Sequence, residues 1–62
     1  MKRQERRKLE LQILLAEVEI RNIELILSLH RNSLTEKDVD GYLDRISAAR
    51  SRIESLRARM NA

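Results

Sequence analysis

The sequence predicts an all-α protein: an antiparallel hairpin of two long helices, about residues 3–31 and 36–61, assembling as a dimeric four-helix bundle. Three observations predict it. Apolar residues recur three and four apart along both halves of the chain, a clear helix-start signal separates the halves, and the first half carries more apolar surface than the second can cover.

In the first half, Leu9, Ile13, Ala16, Ile20, Ile23 and Leu27 form one seam with the a/d spacing of a packed helix. A second register runs through Leu11, Leu15, Val18, Leu25 and Leu29, flanked by Leu14 and Ile26 and interrupted by Asn22. At 3.6 residues per turn the two sets fall on roughly opposite sides of the helix. Between them lie a polar stripe of Glu10, Glu17, Arg21, Glu24 and Ser28 and a thinner one of Gln12 and Glu19. A helix patterned in this way sits between other helices.

The turn is expected at 32–35. Thr35 is the expected N-cap of the second helix, exchanging hydrogen bonds with Asp38, while Leu34 and Val39 occupy the two positions of a hydrophobic staple. Ser33 with Glu36 is a weaker capping box because no staple accompanies it. Glu36, Asp38 and Asp40 place negative charge where the helix dipole favours it.

The second helix has one seam, Val39, Tyr42, Ile46, Ala49, Ile53, Leu56 and Met60, and its other sides read as charged or small. Folding the chain back pairs Leu27 with Val39, Ile23 with Tyr42, Ile20 with Ile46, Ala16 with Ala49, Ile13 with Ile53 and Leu9 with Leu56. The residue numbers of every pair total 65 or 66. Constant totals are what antiparallel neighbours require, and the two alanines share a layer without either periodicity forcing it. The competing structure is one uninterrupted rod of about 85–90 Å, against which the capping signals argue.

Leu11, Leu14, Leu15, Val18, Asn22, Leu25, Ile26 and Leu29 then have no partner within the hairpin. Seven large aliphatics on one face exceed what a soluble monomer leaves exposed. Burying each contributes about 1.5–3 kcal/mol before ordering costs. These residues are the expected interface, with a second copy of the chain or with another protein's helix, as in a small chaperone or inhibitor. Asn22 reads either as a buried polar residue that specifies register or as an edge position open to water.

The composition demands such a partner. A chain of 62 residues without cysteine has neither a large core nor disulfides to supplement it, and the lone His30 cannot build a zinc site. No cofactor or metal site and no enzyme constellation is expected. His30 reads as a partly buried or capping residue at the end of the first helix, and Glu36, Asp38, Asp40 and Asp44 read as a solvated helix start, not a calcium loop. Gly41 either admits a close neighbour or marks a weak first turn.

Charge points outward at the termini. Lys2, Arg3, Arg6, Arg7 and Lys8 against Glu5 give residues 1–8 a net charge of +4, and Arg50, Arg52, Arg57 and Arg59 against Glu54 give residues 50–62 a net of +3. Residues 9–49 hold four basic and eight acidic side chains, a net of −4. The hairpin brings both basic ends to one pole, where they offer contacts to a phosphate backbone or an acidic protein surface or serve as a solubilising, fraying terminus. The first helix is interrupted by charge too often for a signal peptide or a membrane span, so no membrane partner is expected and the cytoplasm is the default compartment.

In length and plan the chain resembles the Rop-type helical hairpins, small plasmid regulators that dimerise into four-helix bundles and bind RNA; the short two-helix co-chaperones of secretion systems share that plan. The resemblance covers the architecture of the whole chain and no residue motif. The expectation is therefore a single helical-hairpin domain over 1–62 acting as a non-enzymatic, homodimeric interaction module, of a size that suits a phage or plasmid regulator. Its alternatives are a nucleic-acid-binding regulator using the basic pole, and a chaperone or inhibitor using the second face of the first helix.

Overall fold

A computed structural model describes residues 2–61 as two α-helices, α1 (Arg3–Leu29) and α2 (Glu36–Asn61), lying side by side. The long axis is 47 Å, so the chain is a hairpin and not a rod. Helix α1 stops two residues before the expected limit, and the reversal occupies 30–35, not 32–35. His30 departs from helical geometry at φ −115° and ψ 22°, its amide donating to the Ile26 carbonyl oxygen at 2.9 Å. The Ser33 amide then donates to the His30 carbonyl oxygen at 2.9 Å, closing a tight turn. No described residue adopts positive φ, so α1 ends without the left-handed cap that glycine usually supplies.

Thr35 caps α2 as expected. Its amide donates to Asp38 Oδ2 at 3.1 Å, and the Asp38 amide donates to Thr35 Oγ1 at 3.1 Å. Both bonds satisfy amides that the first turn would otherwise leave free. Leu34 and Val39 are half-buried and line one recess with Leu27, which places the staple over the end of the seam. The Ser33 and Glu36 alternative makes no such exchange.

The core is the paired seam. Leu9, Ala16, Ile23, Ile46, Ala49, Ile53 and Leu56 are buried, and Ile13, Ile20, Leu27, Val39, Tyr42 and Met60 are half-buried. Arg45 Nη2 lies 3.4 Å from Glu19 Oε1, and Arg57 Nη2 lies 3.4 Å from Glu17 Oε1. Glu17 and Glu19 belong to the two polar stripes of α1, so these ion pairs flank the seam on opposite sides.

At two residues the structure selects between alternatives that the sequence leaves open. His30 takes the capping role of the two expected for it: it is the C-cap of α1 and is exposed, because the backbone leaves the helix there and the seam does not continue through it. A Cβ built on Gly41 would meet nothing within 4 Å, so among the described residues none makes the close approach that a glycine would permit.

Candidate interaction surface

The side of α1 turned away from α2 is an apolar strip. Leu11, Leu14, Leu15, Val18, Leu25 and Leu29 are all exposed, from 46% at Val18 to 69% at Leu29. Asn22 is exposed within the strip. Ile26, expected among the unpartnered residues, is half-buried, since it stands at the flank of the strip beside the turn. On the heptad that puts the packed seam at a and d, Leu11, Leu15, Val18, Asn22, Leu25 and Leu29 fall at f and c, diametrically opposite.

Helix α2 contributes one further apolar residue to the surface that the sequence reading missed. Leu43 is 50% exposed, one position beyond Tyr42 of the seam. The sides of α2 are therefore not uniformly charged or small. Leu43 lies four residues after Val39 and three before Ile46, so spacing alone would admit it to the seam as readily as Tyr42, and the packing chose Tyr42.

The hairpin is under-covered for its size. Its accessible surface is 5466 Å², where a compact monomer of 7.3 kDa exposes about 4200 Å². The radius of gyration is 14.4 Å, against about 11 Å for a compact chain of this length. The lowest exposure among the core residues is the 2% of Ile23, and the pair of helices sequesters no side chain more fully. A two-helix layer has only one internal face, and the strip on α1 is the apolar surface left over.

Lys2, Arg3, Arg6, Arg7, Lys8, Arg50, Arg52, Arg57 and Arg59 are all exposed; the hairpin brings Arg57 and Arg59 to the N-terminal end of α1, while Arg50 and Arg52 stand opposite positions 13–16, near its middle. Arg6 Nε lies 3.4 Å from Glu10 Oε1, and Arg57 reaches Glu17. Among the described residues the other seven have no carboxylate oxygen within ion-pairing distance. Arg7 and Lys8 also border an open groove of about 410 Å³ with Glu10, Leu11 and Leu14, where the apolar strip meets the basic end.

No three His, Asp or Glu side chains among the described residues converge to hold a metal ion. No helix among them is long and apolar enough to cross a membrane. Comparison with protein-family models, with curated proteins and with solved structures gave no match to this chain.

Proposed function

We propose that this chain is a non-enzymatic helical interaction module that works as a homodimer, a four-helix assembly joined through the second face of α1. One observation carries the reading: six large aliphatic side chains stand exposed in a helical strip, broken only at Asn22, on the side of α1 opposite its packed seam. The accessible surface in excess of a compact monomer is about 1,300 Å², more than the roughly 800 Å² that each partner buries in a standard interface. A second copy supplies an identical strip of matching length and residue type, and closed dimers are the commonest solution for short chains.

The molar mass in solution tests this. Sedimentation equilibrium is expected to give twice the 7.3 kDa of the chain, with helix content that falls on dilution through the dissociation range. A folded monomer over the whole concentration range overturns self-association and leaves another protein's helix as the occupant of the strip.

A second reading is favoured by the basic side chains, seven of which have no carboxylate partner among the described residues and suit a phosphate backbone. Binding of duplex or structured RNA is then expected to weaken steeply with salt and on joint replacement of Arg3, Arg7 and Arg59 by glutamine. Absence of binding at low salt removes it.

A further inference from the structure

We infer that the second copy docks antiparallel, on a two-fold axis near Ile20, in a flat layer of four helices ordered α2, α1, partner α1, partner α2. The inference rests on the self-association proposed above and specifies its geometry. In a closed square bundle each helix directs its apolar residues into one wedge. Helix α1 instead carries apolar faces at a/d and at c/f, on opposite sides, while α2 has one seam and is otherwise mostly exposed polar or small residues. Two opposite faces place α1 in the middle of a layer, and one face places α2 at its edge.

The ends of the strip set the register. Its C-terminal limit is Leu29, where α1 ends. Its N-terminal limit is Leu11, because the next two positions of the same c/f register, Lys8 and Gln4, are polar. Antiparallel pairing over that span sets Leu11 against Leu29 of the second copy, Leu15 against Leu25, and Val18 against Asn22, every pair totalling 40. The span is centred on position 20, whereas α1 itself is centred on residue 16. Residues 3–10 of each chain therefore overhang the end of the partner's α1 by about 12 Å.

That overhang is where the face turns from leucine to Gln4, Arg7 and Lys8, at the groove these cations share with Leu11 and Leu14. It projects past the end of the partner's α1 beside the partner's turn, at the end of the hairpin where Glu36, Asp38, Asp40 and Asp44 outnumber Arg31 and Lys37, all exposed. A parallel dimer would instead gather both acidic turn ends at one end and crowd two basic poles at the other, where like charges repel.

Two measurements on the dimer test the geometry separately from dimerisation itself. Leu11→Cys and Leu29→Cys variants, oxidised singly and as a mixture, are expected to form disulfide-linked dimers efficiently only in the mixture. Efficient linkage of a single variant to itself overturns the antiparallel arrangement. A spin label at Ser47, on exposed α2 at the height of the two-fold and away from the strip, leaves the interface intact. Three interaxial steps of about 8–10 Å separate the two α2 helices in the layer, so label distances of about 30–40 Å are expected. Distances below about 25 Å, as in a closed bundle, overturn the layer. A chain that stays monomeric at the labelling concentration overturns the self-association on which both rest.

Discussion

Arg57 of α2 reaches Glu17 of α1, 3.4 Å from Nη2 to Oε1, although the seam register sets Arg57 opposite position 8 or 9. Helical side chains lean toward the N-terminus of their own helix. In an antiparallel pair the two leans converge, so a long arginine and a glutamate offset along the axis meet diagonally. On the other side of the seam Arg45 reaches Glu19 almost directly across, since the register sets Arg45 opposite position 20 or 21. Both pairs are exposed, with Arg57 and Glu17 at 62% and 48%. Replacing Arg57 by Ala is expected to lower stability by less than about 1 kcal/mol, and by less still at high salt. Urea unfolding at two salt concentrations checks this.

The Thr35 and Asp38 exchange satisfies two amides at the start of α2. Thr35→Ala is expected to cost about 1 kcal/mol by chemical denaturation. Ser33→Ala, outside the box, is expected to change stability by less than about 0.5 kcal/mol. Equal losses for the two would place the cap at the wrong residue.

Gly41 lies in α2 with open space where a Cβ would stand. Gly41→Ala is expected to stabilise the protein by about 0.5–1 kcal/mol through helix propensity. A lower midpoint in thermal unfolding would reveal a second chain packed against that position.

Leu15→Asp or Leu25→Asp places a charge in the centre of the c/f strip, and either is expected to shift the sedimentation mass to that of a single chain. Leu43→Asp supplies the control. Leu43 is 50% exposed, close to the 55% of Leu25, yet lies on α2 away from the strip, so its mass is expected to stay dimeric. Dissociation by Leu43→Asp with retention by Leu15→Asp would assign the interface to α2.

Asn22 interrupts the strip and is set against Val18 of the second copy in the inferred pairing. Asn22→Leu is expected to tighten association about tenfold, since a polar amide in an apolar interface costs stability. Sedimentation at low concentration reads the change. Weaker association would mean that the amide finds a hydrogen-bond partner across the interface.

Much of this architecture was legible in the residue order. The two helices, the cap at Thr35, the staple of Leu34 and Val39 and the antiparallel pairing of the seams are all local or periodic, because the 3.6-residue repeat decides which side chains share a face. Spacing also separated the strip on α1 from the seam. Its use by a partner is a matter of the proposal, but the exposure of Leu11, Leu15 and Leu29 follows from α2 having only one seam to offer. What the tertiary structure alone decided lies where the chain turns and where the helices meet. Helix α1 stops at Leu29 because the reversal needs His30 and Ser33 for its hydrogen bonds, and this leaves His30 exposed as the C-cap. Leu43 stands exposed because the packed helices bury the line through Val39, Tyr42 and Ile46 and not the equally periodic line through Val39, Leu43 and Ile46. The diagonal from Arg57 to Glu17 depends on the distance between the packed helices together with the opposed lean of the side chains, a relation that exists only once both helices are in place.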